Sequence, residues 1–314
     1  MTSLLLSILN WRNGMYNVSE RMIFHRLKGL ISPSLLTKWW KVDPELYINE
    51  ETHHFKQDRS LQKIDFTRLQ QAEENEFPIF QHIVQAYLKQ NIHMIPITSP
   101  LYPSSLKHIY DPPPVLFLKG NVTYLNEEKS LGVVGTRVPS SYGEACVKKI
   151  VGELVEEDWM IVSGLAKGID GLAHKECIRK KGKTIGVVAG GFQHVYPKEH
   201  VQMAQYMGEH HLLLSEHPPY IKPEKWHFPM RNRLISALTR GTIVVQCKEK
   251  SGSLITAYQA LEQGKEVFAV AGSIFDSNSV GPARLIQQGA KLVHSTKDIL
   301  EEFSLSGVQY TELP

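Results

Sequence analysis

Two kinds of hydrophobic spacing divide the chain. Residues 1 to about 90 place apolar side chains three and four positions apart, as in ERMIFHRLKGL (20–30), the mark of helices with one buried face. Proline and capping residues in ISPSL and VDPEL punctuate them, which predicts a small helical module over 1–90. Its first stretch, MTSLLLSILNWRNG, reads as the amphipathic start of a helix. It lacks the basic n-region and small-residue cleavage site of a secretory signal. The polar, weakly periodic segment 49–66 fits either a longer helix or a connection.

From about residue 92 short apolar runs separated by turns take over. IHMIPI comes first, then YPSSLKHIYDPPPVLFLKG, whose prolines exclude a central helix. The strands LGVVGT, MIVSGL, TIGVVAGG, HLLLSE, TIVVQC, EVFAVAG and KLVH then alternate with helix-like segments such as YGEACVKKIVGELVEE and LITAYQALEQG. Unbroken Val/Ile-rich strands with crossover helices predict an α/β domain over 91–303, built on a doubly wound, mostly parallel sheet. Residues 304–314 are left as a short tail. Ligands of such sheets sit at the carboxyl ends of the strands.

Composition narrows the setting more than the chemistry. The 314 residues are 42% hydrophobic and 21% charged with a net charge of +3, ordinary for a soluble globular protein and too mildly basic to announce a nucleic-acid binder. Three scattered cysteines, Cys146, Cys177 and Cys247, offer neither a zinc pair nor a redox motif and suit the reducing cytoplasm. No apolar run approaches the ~18–20 residues of a membrane span.

The strand ends carry the chemistry. One gives Gly135, Thr136 and Arg137. The next gives Ser163 and Gly164, running into LAKGIDGLAH with Lys167 and Gly168. Others give Gly190 and Gly191, then Ser215 and Glu216. A further one leads through Lys248 and Lys250 to Ser251, Gly252, Ser253 and Thr256 at the start of a helix. Small residues before a helix let an anion approach free N–H groups and the positive end of the dipole. Any one such turn has a plain loop alternative, but their joint placement on one edge points to a phosphate ligand. The G-x-G-x-x-G of a dinucleotide site and the P-loop are both missing, and Lys167 and Lys183 lie outside the P-loop frame, so NAD and ATP are disfavoured. The segment EKWHFPMRNRLISALT (224–239) sets Lys225, Trp226, Phe228, Arg231 and Arg233 close together. Cations interleaved with rings suit a single nucleic-acid strand, since cations neutralise phosphates and a ring stacks a base. The competing reading makes the rings core and the arginines structural, Arg233 more so than Arg231.

In this order, the motifs GTRVPSSYG, IVSGLAKGIDGLAH, TIGVVAGGFQHVYP, LLLSEHPP, FPMRNRLISALT, SGSLITAYQA and RLIQQGA resemble the DNA-processing protein A family (DprA/Smf), over about residues 95–290. The resemblance implies an extended Rossmann-like domain that binds single-stranded DNA, preceded by a helical module similar to a sterile alpha motif. It implies protection of incoming single-stranded DNA and loading of RecA recombinase during natural transformation, dimerisation through the Rossmann-like domain, and no cofactor. Carried over by motif, Gly135, Thr136 and Arg137 face a DNA phosphate, Phe228, Arg231, Asn232 and Arg233 match the FPMRNR positions, and Lys225 joins as a phosphate partner. Three departures stand out. Ala271 replaces a proline; Pro282 and Ala283 replace a polar pair, leaving Arg284 as a substitute phosphate contact; and no winged-helix segment follows, so duplex binding is expected to be weak.

Two other functions remain open. The fold also resembles that of nucleotide phosphoribohydrolases, but Gln259 stands where their motif carries a catalytic glutamate, and an amide cannot shuttle a proton as a carboxylate does. Asp170 and Glu216 are carboxylates near the same edge; a helix-start role explains Asp170 and a loop or arginine partner explains Glu216. The third reading is a nucleotide-sensing interaction protein. His174 reads as a packed helix residue, and the pairs at 53–54 and 210–211 lack metal spacing, so no metal is assigned.

Overall fold

The computed structural model describes residues 17–48 and 58–305. The helical region contains α1 (Val18–Lys28), α2 (Pro33–Val42) and α3 (Phe66–Lys89). Each start is capped. Asn17 and Glu20 form a reciprocal capping box at 2.9 and 3.0 Å, Ser32 precedes a proline in the first turn of α2, and the Asp65 side chain takes the Arg68 N–H. The expected helix within residues 1–14, residues 49–57 of the ambiguous segment and most of the tail lie outside the described residues. Residues 58–64 form a turn and a short 3-10 segment, so the described part of that segment is a connection.

Nine strands form one sheet in the order β1-β2-β6-β5-β4-β3-β7-β8-β9. They are β1 (Ile92–Pro96), β2 (Val115–Gly120), β3 (Ser130–Val134), β4 (Met160–Ser163), β5 (Thr184–Val187), β6 (Leu212–Ser215), β7 (Gly241–Val244), β8 (Glu266–Val270) and β9 (Lys291–Val293). Pairing is antiparallel for β1–β2 and β2–β6 and parallel from β6 through β9, the expected mostly parallel, Rossmann-like sheet. Between the strands lie α4 (Ser104–Lys107), α5 (Ser141–Glu156), α6 (Ile169–Arg179), α7 (Val201–His210), α8 (His227–Ala237), α9 (Gly252–Glu262) and α10 (Val280–Gln287), with α11 (Thr296–Leu305) last. Strands β3 to β7 are buried along their whole length, the reason their sequences are unbroken apolar runs rather than alternating ones.

From β3 the chain winds outward through β4, β5 and β6, then crosses back to β7 on the other side of β3 and winds outward again. This reversal opens a crevice at the carboxyl ends of β3 and β7. The helical region packs on the far wing. Phe24, Phe77 and Phe80, with centroids 4.7–5.5 Å apart, share one continuous core with Ile95, Val115, Phe117 and Leu214. A buried polar joint crosses this contact. Arg26 donates to the Glu216 carbonyl at 2.9 Å, and the Glu216 carboxylate receives Arg233 at 2.7 and 3.0 Å. Among the described residues no helix is long and apolar enough to cross a membrane.

Candidate nucleic-acid interface

The crevice is an open cleft of about 310 Å3 between the turn leaving β3, the start of α6, and the N-terminal ends of α8 and α9. The Gly135–Arg137 turn is held from three sides. Thr136 N–H donates to the Gln246 carbonyl at 2.6 Å, and Ser253 Oγ donates to the Gly135 carbonyl at 2.7 Å. From below, Gly168 presses against the turn at φ +72, so close that a Cβ there would lie 2.3 Å from the Thr136 carbonyl oxygen. With its backbone pinned, Arg137 extends an exposed guanidinium over the Phe228 ring, 5.9 Å from its centroid. Tyr196 meets the same ring edge-on at 5.7 Å.

The opposite wall is the start of α9. Ser251 caps it, its Oγ accepting the Ser253 N–H, and Gly252 has open space where a side chain would stand. The first N–H groups of a helix lack intrahelical acceptors, which makes this end a seat for an anion. Exposed Lys248 and Lys250 flank it, and buried Thr256 closes the floor. Asn232 ties the two walls together, donating to the Gly252 carbonyl at 3.3 Å and accepting from Arg231 Nε at 3.1 Å.

Arg231 lines the cleft from inside. Its guanidinium donates to the carbonyls of Gly164 and Val187, and a Cβ on Gly164 would lie 2.6 Å from it. Burial pulls its pKa down to about 10, Asp170 opposes the shift, and the group stays charged at neutral pH. Asp170 is raised by burial, against the opposing pull of Arg231, the Ala166 and Gly164 backbone N–H groups and Arg137. The cleft therefore holds one buried cation beside a carboxylate, with exposed cations at its rim.

Not every residue predicted from the sequence arrives there. Ser163 is buried in β4 and donates to the Val133 carbonyl at 2.6 Å. Lys167 pairs with Glu199 on the surface, and Lys225 is exposed outside the cleft lining. Arg233 is turned away into the buried joint with Glu216, the structural role weighed for it above. Arg284 pairs with Glu249 at 2.7 Å, Ala271 receives the Tyr142 hydroxyl on its carbonyl, and Pro282 is buried in the first turn of α10. Gln259 donates to the Pro229 carbonyl at 3.3 Å, joining α9 to α8.

The sequence places Asp170 near this edge as a helix-start carboxylate, but does not show it to be the buried neighbour of Arg231. Two further contributors are Tyr196 and Gln246. Tyr196 lies far along the chain from Phe228 and gave no signal. Gln246 is the one amide in the buried run TIVVQC. Besides holding Thr136, it takes the Ser140 N–H at 3.1 Å and donates to Ser140 Oγ and Asp276 at 2.8 Å each. A buried amide in a parallel strand end implies such a bracing role.

With this geometry in place, comparison with known proteins is informative. The family model of DNA recombination-mediator protein A matches residues 93–304. The chain belongs to that family. It is 55% identical over 287 residues to the DNA processing protein DprA of Bacillus subtilis, covering 91% of this chain and 96% of that one. It is 47% identical over 224 residues to the DprA of Streptococcus pneumoniae, covering 70% and 79%. The X-ray structure of the pneumococcal protein superposes with a TM-score of 0.75 at 37% identity, covering 92% and 99%. The DNA processing protein A of Helicobacter pylori, described for its single-stranded DNA binding mode, gives 0.62 at 26% identity, covering 68% and 96%.

Proposed function

We propose that the protein binds single-stranded DNA in this cleft, protects it on entry during natural transformation and helps load RecA recombinase onto it. The observation that carries the reading is the placement of Arg137, Arg231, Lys248 and Lys250 around one cleft with a helix N-terminus and the Phe228 ring. Cations and backbone N–H groups that track phosphates, with a ring to stack a base, suit a strand bound with little sequence preference. The Helicobacter relative's single-stranded DNA binding mode and the family's recombination-mediator description support the same reading.

In this proposal the protein acts by binding rather than by catalysis, in the cytoplasm and as a homodimer, so that two tracts of DNA are held together. Its two units in this proposal are residues 1–90 and the Rossmann-like residues 91–303, the described helices of the first braced on the second through the Arg26–Glu216 contact. No cofactor is invoked.

Fluorescence anisotropy of a labelled single-stranded oligonucleotide over a salt series, with duplex and mononucleotide competitors, tests it. Tight binding that salt weakens and neither competitor displaces supports the clamp, and RecA loading on that DNA is the next assay. Full displacement by the mononucleotide, or no binding, overturns it in favour of a nucleotide-binding or hydrolase function.

A further inference from the structure

One apolar pair stands out in solvent among the described residues. In the loop after β8, Ile274 and Phe275 are 92% and 93% exposed. Exposed large apolar side chains side by side mark an interaction site more often than isolated ones do. The loop is well anchored at its feet. Tyr142 donates its hydroxyl to the Ala271 carbonyl, Asp276 N–H donates to the Ser273 carbonyl at 3.1 Å, and Ser279 N–H donates to the Asp276 carbonyl at 2.9 Å. Gly272 sits so close to Ser279 that a Cβ would lie 2.1 Å from its Oγ.

The tip and the phosphate-facing turn hang on the same residue. Gln246 accepts Thr136 N–H on its carbonyl and Ser140 N–H on its side-chain oxygen, while its amide nitrogen donates to Asp276, the neighbour of Phe275. Arg137 of the turn and Val138 after it are exposed, and Tyr142 is half-exposed. A hollow of about 410 Å3 lined by Tyr142, Ala271, Gly272, Ser273 and Asp276 opens at the foot of the tip. Two carboxylates close by are engaged, Asp276 with Gln246 and the Asn278 N–H, and Glu249 with Arg284. The rim is left cationic through Arg137, Lys248 and Lys250.

We propose that Phe275, backed by Ile274, is a second stacking platform, and that a strand leaving the cleft past Arg137 lays a base over the hollow onto this ring. A ring at each end of a cationic tract is the alternation a single strand requires. The inference rests on the reading of the cleft as a single-strand clamp.

The test measures anisotropy with oligothymidylates from about 5 to about 20 nucleotides, the span of common site sizes, for the intact protein, the Ile274→Ser/Phe275→Ser double variant and Phe275→Trp. Both changed positions are solvated, so the fold is expected to survive. The intact protein is expected to gain affinity with length. The double variant keeps the affinity for the shortest strand and loses roughly tenfold on the longest, the effect of one stacked base, while Phe275→Trp retains the gain. A double variant that matches the intact protein at every length overturns the platform and leaves the clamp standing. Failure of the intact protein to bind even the shortest strand brings down the clamp itself. A loss of affinity that accompanies dissociation of an oligomer in light scattering also overturns the platform, because the tip is then a contact between copies of the chain.

Discussion

Arg231 and Arg233 stand two residues apart on α8 and serve opposite ends. At roughly 100° per residue they point to nearly opposite sides of the helix. Arg231 reaches under the cleft to the Gly164 and Val187 carbonyls, and Arg233 enters the joint where Glu216 and Arg26 connect the sheet to the helical region. Both are buried and both have internal partners, Arg231 two carbonyls beside Asp170 and Arg233 the Glu216 carboxylate, but only Arg231 also lines the open cleft. Binding and stability separate at the cleft's exposed rim: Arg137, Lys248 and Lys250 are expected to govern DNA affinity with little effect on folding, and the joint the reverse.

The largest effect is expected at the joint. Glu216→Ala strands the Arg233 guanidinium in a buried site, and breaking a buried pair in this way costs about 3–5 kcal/mol. Urea unfolding checks it, and Glu216→Leu combined with Arg233→Met is expected to recover most of the loss. Single-strand affinity of the folded fraction is expected to stay within about twofold, since neither group lines the cleft. An affinity loss as large as the stability loss would erase the distinction between the two sides.

Proton uptake probes the same joint. His217, whose ring lies 4.1 Å from that of His227, is pushed down to about 4 by burial, against the opposing pull of Glu216 and with His227, Arg26 and Arg233 adding to the shift. Its folded pKa is below its unfolded value of about 6.5, so between those values the unfolded chain binds the extra proton and stability falls as pH falls. The loss begins as pH drops through about 6.5, amounts to about 3 kcal/mol for this group, and is complete below about pH 4. His174, fully buried and lowered to about 3, adds to the fall in the same direction. Denaturant midpoints across pH 4–7 are expected to show a shallower slope for His217→Gln, with the cleft's affinity at pH 7 unchanged.

The two sides were not equally legible in the sequence. Strand ends could be read because a buried parallel strand has no polar residues until it stops, so TRV after GVVG and SGS after the lysines of KEKSGS announced the cleft walls. The helical spacing of residues 20–30 was equally plain. The joint was half legible: a structural Arg233 and an arginine partner for Glu216 both follow from the sequence, but that these two meet depends on where β6 delivers Glu216, a matter of strand order rather than local pattern. Helix phase alone separates Arg231 from Arg233, but says nothing of which side is the cleft. Tyr196 and Asp276 were invisible for a related reason: each reaches the site from a loop whose path no periodicity constrains.

On the cleft side, Arg137→Ala is expected to weaken single-strand binding by about tenfold at low salt and to lower the slope of log affinity against log salt by about 0.7, the share of one phosphate contact on a single strand. Thermal unfolding is expected to shift little, because the guanidinium is exposed and the turn is held by Gln246 and Ser253 rather than by Arg137 itself. A matching loss with an unchanged salt slope would assign Arg137 to the ring beneath it instead of to a phosphate.

That last distinction is settled by the smallest effect. Phe228→Ala removes a stacking surface, worth about 1–3 kcal/mol where a base lies on it, and leaves the salt slope intact because no charge is lost. Arg137 stands over this ring at 5.9 Å, so the two residues are not independent: the cation fixes the ring's exposed face, and the ring holds the cation at the cleft mouth. The double variant Arg137→Ala/Phe228→Ala is therefore expected to lose less affinity than the sum of the single losses, with a coupling of about 0.5–1 kcal/mol, the usual scale for an exposed cation over a ring. Strict additivity would mean that the strand's phosphate and base are seated separately. Arg137 would then belong with Lys248 and Lys250 as a rim charge, and Phe228 with Tyr196 as the base's own platform.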